Sequence, residues 1–404
     1  MKVFCGIDWA SYHHDVALID NDGKLLGRAR IGNDAAGLQQ LLDLLAEHGD
    51  NPGEQIPVAI GTSRGLLVAC LRSTGRPVYA VNPMAAARYR ERHTVSRKKS
   101  DHLDAMVLAN ILRTDADAHR QLPADSELAQ AVAVLARAQQ DAVWDRTQAG
   151  NKLRSHLREY FPGYLAAVQP ITGGFNAPLA RTLLAAAPTP GQASRLSRLQ
   201  LKAVLKRAGR QRGIEAEVER LHAALRVPQM RQLPLVETAM GRQTRALLGK
   251  FEAACAAADS LAEASVELFE QHPDAAVITS FPGLGALSGA RVLAEIGDDR
   301  SRFADARALK AYAGSAPVTR ASGKSHTVMV RRVKNQRLAA VGYVWAFASL
   351  TASPGARGDR HTSAQRNLYN RLLGCLHHCL ATGAPYSETS AFPTASKLEL
   401  RIAA

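Results

Sequence analysis

Three carboxylates stand where they could share one task. Asp8 closes the apolar run Lys2-Val-Phe-Cys-Gly-Ile-Asp-Trp, which reads as a strand delivering it to its end. Asp101 and Asp104 lie three apart in Ser100-Asp-His-Leu-Asp-Ala, opening a segment with apolar periodicity at Leu103, Met106, Val107 and Ile111. On a helix that spacing puts both acids on one face. A strand-end carboxylate facing a helical pair can hold two hard divalent cations against a phosphodiester. Taken singly, each acid reads as a surface or capping residue, Asp101 beside an N-cap at Ser100.

Basic residues crowd the same stretch. Arg88, Arg90 and Arg92, then Arg97, Lys98 and Lys99, immediately precede Asp101. They would guide a nucleic-acid backbone toward the acids, or else form a solvated charged face. The whole chain has 51 Lys and Arg against 36 Asp and Glu, a net charge of +15, which points to a polyanionic partner. Aromatic residues make up only 5%, so extensive base stacking is not the expected mode.

Five cysteines without a disulfide-like rhythm fit a reducing compartment. Cys375-Leu-His-His-Cys379 resembles a metal cluster only superficially, since no second ligand pair lies nearby. No apolar run reaches about 18 residues and the N-terminus has no signal-peptide pattern, so a cytosolic protein with no membrane partner is expected.

The elements that must position these groups alternate over the first 115 residues. After the Asp8 strand come a strand from His14, an Asn21-Asp-Gly23 turn and a partner strand to Ile31. Asn33 is placed to cap a helix carrying Leu38, Leu41, Leu42 and Leu45. Strands at Ile56–Ile60 and Pro77–Val81 enclose a helix from Leu66 that stops at Gly75. The order β-β-β-α-β-α-β-α is that of the ribonuclease H superfamily, by fold analogy.

The remainder is mainly helical. A long helix runs from Pro123 to about Tyr160 with Arg137, Arg146, Lys152, Arg154 and Arg158 exposed, and Pro162-Gly163 ends it. Leu235 to Gln271 forms another, either a coiled-coil arm between protomers or an antiparallel hairpin within one. Val277 to Ile296 reads helix, glycine turn, helix. This is either a helix-hairpin-helix whose Gly283 and Gly285 admit a phosphate, or a plain corner. A loop-rich segment from Leu309 to Ser325 follows, then the basic run Arg331, Arg332, Lys334 and Arg337.

Several ordered motifs resemble one family, the DEDD transposases of the insertion-sequence 110 type, which are bridge-RNA-guided recombinases. They are Gly6-Ile-Asp-Trp, Thr62-Ser-Arg-Gly65, Val81-Asn-Pro83 and Ser100-Asp-His-Leu-Asp-Ala105. Farther on come Phe281-Pro-Gly-Leu-Gly285, Gly314-Ser-Ala-Pro and Arg320-Ala-Ser-Gly-Lys324. The resemblance covers about residues 1–165 and 275–380. It implies an α/β plus α protein: a RuvC-like DEDD domain over 1–160, a helical and coiled-coil region over 161–272, and a mostly helical C-terminal transposase domain over 273–404.

The resemblance further implies that Asp8, Asp101 and Asp104 hold Mg²⁺ and that Ser322 attacks a DNA phosphodiester. Arg320 and Lys324, with Arg331, Arg332 and Lys334, would hold that phosphodiester. Without the resemblance Ser322 reads as a turn residue. Donor and target DNA, a structured guide RNA and a homodimer or homotetramer are the implied partners, in the bacterial cytosol, an assembly in which metal site and serine could come from different protomers. One acid departs from the pattern: where the family has Glu before Thr-Ser-Arg-Gly, this chain has Gly61. Glu54 lies before the strand, beyond Pro57, and cannot replace it. Weakened metal binding and impaired catalysis follow, with fold and partners retained. The rival readings are a metal-dependent nuclease of resolvase type and a nucleic-acid-binding homologue without activity.

Overall fold

A computed structural model describes residues 2–93, 101–323, 325–352 and 362–392, giving only the backbone of His93, Asp101, His102, Thr362 and Ser363. The chain divides into two compact units, Met1–Ala124 and Asp125–Ala404.

The first unit is built on strands β1 (Phe4–Trp9), β2 (His13–Ile19), β3 (Leu25–Gly32), β4 (Val58–Ile60) and β5 (Val78–Ala80). Helices α1 (Ala35–Glu47), α2 (Leu66–Ser73), α3 (Pro83–His93) and α4 (Asp101–Asp115) accompany them. The sheet order is β3-β2-β1-β4-β5, antiparallel among the first three strands and parallel from β1 through β5. The β2–β3 turn forms because Asp20 accepts from the amides of Asp22 and Lys24 at 2.9 Å, while Gly23 takes φ +81°.

Asp34, not Asn33, caps α1, accepting from Gly37 N at 2.8 Å. Asn33 is engaged elsewhere, at the β1–β2 loop. Leu41 and Leu45 of α1 are fully buried against Ile7 and Leu18, each contributing about 1.5–3 kcal/mol. On the other sheet face Phe4, Ile19 and Ala59 meet Leu108, Ala109 and Leu112 of α4. The buried stripe of α4 differs from the expected one, since Leu103 is 41% exposed and Ala105 is buried. Small residues are needed there because α4 lies directly on the backbone of β1.

In the second unit α5 (Glu127–Tyr160) starts at Ser126, whose hydroxyl accepts from Ala129 N at 3.1 Å. Short helices α6 (Pro162–Val168), α7 (Pro178–Ala186), α8 (Pro190–Ala193), α9 (Arg198–Arg207) and α10 (Ile214–Ala224) lead to the long α11 (Pro234–Glu270). Pro162 thus ends α5 and opens α6 at once. α11 runs antiparallel to α5: Gly150 faces Phe251, and His156 Nε2 lies 3.0 Å from the Met240 carbonyl. The chain therefore supplies an antiparallel partner for α11 itself.

The chain continues through α12 (Ala275–Thr279), α13 (Ala286–Ile296), α14 (Ala306–Ala313), β6 (Val318–Ser322), β7 (Ser325–Met329), α15 (Gln336–Ala352), α16 (Thr362–Thr382) and α17 (Glu388–Ala391). Phe281, Leu293, Leu338, Trp345 and Leu376 centre their core. Arg137 is not a free surface cation. Its guanidinium binds Glu295 at 2.7 Å and donates to the Ala294 carbonyl at 2.9 Å, tying α5 to α13. Among the described residues no helix is long and apolar enough to cross a membrane.

Candidate active site

The acid site is assembled by one unusually close contact. A Cβ built on Gly6 would stand 2.0 Å from the Ala105 carbonyl oxygen and 2.4 Å from the Ala109 amide nitrogen. Only a residue without a side chain lets α4 lie this near β1. Two residues beyond Gly6 the strand reaches Asp8, and one residue before Ala105 the helix carries Asp104. Phe4, Gly6 and Asp8 share a sheet face by strand alternation, which is the α4 face. Asp101 is the first residue of α4; its side chain is outside the described atoms.

Asp104 is 9% exposed and meets the Arg90 guanidinium at 2.7 Å. Arg90 thus projects from α3 onto an acid, while Arg88 and Arg92 remain exposed, Arg92 over the Tyr89 ring at 6.0 Å. Arg97, Lys98 and Lys99 lie outside the described residues.

The register adds a carboxylate that sequence reasoning missed. Asp8 pairs with Asp15 across β1 and β2, and Asp15 pairs with Arg30 across β2 and β3. Asp15 is 2% exposed, and Arg30 grips it with a fork at 3.1 and 2.9 Å. Two like charges directly opposite would repel, and the guanidinium offsets that repulsion. On the other side of Asp8, Ile7 pairs with Ile60, so the next step in register sets Gly61 beside Asp8. Among the described residues nothing stands within 4 Å of a Cβ built on Gly61, and its φ lies outside the left-handed region.

Carboxylate oxygens at a strand end and in a helix's first turn are the donors a hard divalent cation takes. Among the described residues no three His, Cys, Asp or Glu side chains converge on a metal position. Asp8 and Asp104, with the space at Gly61 open for water or substrate oxygens, fit such a cation.

The segment expected to be loop-rich contains α14 and a two-stranded ribbon. β6 and β7 pair antiparallel with Ser322 opposite Ser325, and Gly323 turns the chain at φ +55°. Alternation sets Ser322 and Arg320 on one face, both exposed. Lys324 lies outside the described residues. Arg331 donates to the Ala316 carbonyl at 3.3 Å and Arg332 is exposed. The stem of Lys334 packs so closely on Gly314 that a Cβ there would lie 2.2 Å from Lys334 Cδ.

The glycine turn before α13 faces inward at one glycine and outward at the other. A Cβ on Gly283, whose φ is +79°, would stand 2.7 Å from the Ser349 amide of α15, and the Pro282 carbonyl accepts from Trp345 Nε1 at 3.0 Å. Gly283 therefore serves packing against α15. Gly285 has open space around it and receives the cap of Ser288, with 3.0 Å from its amide to Oγ. Cys375 and Cys379 are free thiols of α16, both pushed up by burial.

Comparisons with known proteins bear on both halves of the chain. Residues 5–162 match the family model described as a transposase of the IS110 DEDD kind, and residues 275–360 match the transposase family IS116/IS110/IS902. The chain is 60% identical over 401 residues to the mini-circle putative transposase for IS117 of Streptomyces coelicolor, covering 97% of each chain. It is 28% identical over 405 residues to the uncharacterized 42 kDa protein of insertion element IS900 from Mycobacterium paratuberculosis, covering 95% of this chain and 97% of that one. It is likewise 28% identical over 420 residues to the uncharacterized 43.6 kDa protein of IS110 from Streptomyces coelicolor, covering 95% of each.

Proposed function

Since the chain belongs to the IS110 family of transposases, we propose that it cuts and rejoins DNA strands of a mobile element by serine attack. Family membership implies a DNA substrate and suggests a divalent cation. The observation that carries the site is the Gly6–Ala105 contact, which brings the first turn of α4 to the end of β1.

In this reading Asp8, Asp101 and Asp104 would hold Mg²⁺. A bound cation would supply positive charge to the phosphate oxygens and lower the proton affinity of the attacking group. Ser322 Oγ forms a bond to phosphorus as the strand's P–O bond breaks, releasing a hydroxyl. The phosphoserine ester conserves the bond, so a second strand's hydroxyl can reverse the step. Arg320, on the same ribbon face as Ser322, would receive the phosphate as a bidentate fork, with Lys324, Arg331, Arg332 and Lys334 adding charge. The ribbon carries no His–Asp pair with Ser322; in sequence order its nearest His, His326, alternates to the opposite face. A structured RNA choosing donor and target sites by base pairing, and a homodimer or homotetramer, complete the proposal.

The test is covalent capture. A nicked or suicide DNA substrate should remain attached to the parent protein through denaturation and be absent from Ser322→Ala. Equal capture by both would sink the serine reading, and hydrolysed ends without capture would favour a metal-dependent nuclease. Gly61 supports a second reading, a DNA-binding homologue with weak catalysis, which predicts binding without turnover.

A further inference from the structure

The end of β1 carries a second feature on its opposite face. Alternation turns Asp8 toward α4 and Trp9 toward the α1–α2 face of the sheet. Trp9 is 45% exposed, and Tyr12, in the loop to β2, is 88% exposed. In a chain with 5% aromatic residues, two exposed rings within five residues of a catalytic carboxylate need an account. Burial among the described residues of the first unit does not supply one.

The Trp9 ring is held, and the loop carrying Tyr12 is fixed through its backbone. The Trp9 indole stacks on His14, with ring centroids 6.5 Å apart and 22° between planes. His14 is buried, its Nδ1 accepting from Ala10 N at 3.3 Å and its Nε2 meeting Asn33 Oδ1 at 3.2 Å. Asn33 also fixes the loop: its side chain donates to the Ser11 carbonyl and its amide to the Tyr12 carbonyl, both at 3.3 Å. On the neighbouring loop a Cβ at Gly65 would lie 4.0 Å from Trp9 Nε1, and Arg64 just before it is exposed. An exposed indole anchored on His14, one residue from the proposed phosphodiester site and with the cation Arg64 on a neighbouring loop, matches single-stranded nucleic acid: bases stack and the backbone meets charge.

We infer that Trp9 and Tyr12 form a stacking platform for an unpaired base of the DNA strand whose phosphate lies at Asp8. Placing a base on the far side of the strand end turns the adjoining phosphate toward the acids, so the platform selects locally unpaired DNA over intact duplex. The inference rests on the DNA-processing reading above.

The test uses the full chain without added divalent cation, so that binding is read without cleavage. Fluorescence anisotropy with a labelled oligothymidylate and a duplex of the same length compares the parent with Trp9→Ala, Tyr12→Ala and Trp9→Phe. Trp9→Ala should weaken oligothymidylate binding about 5- to 100-fold and duplex binding less than about twofold. Trp9→Phe should retain most of the affinity, and Tyr12→Ala should fall between the two. Thermal unfolding midpoints guard against a merely misfolded variant. An unchanged oligothymidylate affinity in Trp9→Ala overturns the platform, as does an equal loss on duplex. A loss seen only with oligouridylate overturns the assignment to DNA. Failure of the underlying reading would look different: the parent itself would bind neither DNA probe.

Discussion

The guanidinium of Arg90 lies 2.7 Å from a carboxylate oxygen of Asp104, so the acid nearest the Gly6 contact is already matched by a positive charge. Asp104 is nearly buried, and removing its partner leaves a carboxylate with less water than it needs. Arg90 is itself a quarter exposed, which tempers the effect. Without divalent cations, Arg90→Ala should lower stability by about 1–2 kcal/mol. Added Mg²⁺ or Mn²⁺ should then stabilise the variant more than the parent, since a ligand bound only by the folded state shifts unfolding by mass action. Thermal unfolding with and without the cation reads both effects. Equal cation shifts in the two proteins would show that Asp104 does not sense the ion.

Gly6→Ala is expected to be among the most damaging small changes in the first unit. The added methyl would meet the backbone at Ala105 and Ala109, and backbone cannot swing aside as a side chain does. A loss of about 2–4 kcal/mol is expected, with α4 pushed off β1 and Asp104 displaced from Asp8. Gly27→Ala supplies the comparison, because its nearest neighbour, at 3.1 Å, is the side chain of His48. Urea midpoints should fall far less for Gly27→Ala than for Gly6→Ala, and similar losses would refute the close-contact argument.

Which parts of this site were legible in the sequence follows from what each residue depends on. Asp8 at a strand end and the β2–β3 hairpin rest on local alternation and on Asn21-Asp-Gly23, so the sequence displays them. The role of Gly6 depends on a helix about a hundred residues later, and its only local signal is a glycine inside a strand. Asn33 and Asp34 are both good capping residues, and a distant loop decides which one caps. The β6–β7 ribbon was missed because nearly all of its residues are exposed. Without a buried face, the period-2 contrast that reveals a strand is missing. Arg90 reads like its neighbours Arg88 and Arg92, and only the packing of α3 beside α4 singles it out.

His14 makes stability depend on pH. Burial pushes its pKa below the usual 6.5; the Asn33 hydrogen bond opposes that shift and the nearby His13 adds to it. The unfolded chain therefore takes up a proton near pH 6.5, before the folded chain does, so the unfolded state binds more protons and stability falls as pH drops through that value. The contribution is fully present above 6.5 and is lost progressively down to the lower folded pKa. His14→Gln removes the titration while keeping a hydrogen-bonding side chain. Urea midpoints measured at about pH 7.5 and about pH 5.5 should fall more in the parent than in the variant. Parallel decreases would show that His14 is not the group responsible.

Gly61→Glu tests whether the missing corner of the acid site can be filled. The position sits beside Asp8 in the β1–β4 register, with no described atom near a new Cβ and no left-handed backbone to strain. Its stability cost should stay within about 1 kcal/mol, arising from carboxylate repulsion without a cation and reversing when one is added. A further oxygen donor should tighten divalent binding about tenfold, read by calorimetric titration with Mg²⁺ or Mn²⁺. If the site is catalytic, Mg²⁺-dependent strand transfer should rise together with affinity. Tighter binding without any gain in strand transfer would separate cation affinity from catalysis at this position and favour the DNA-binding reading. Unchanged affinity would mean that the carboxylate does not reach the ion held by Asp8, and the four-acid arrangement would fail for this chain.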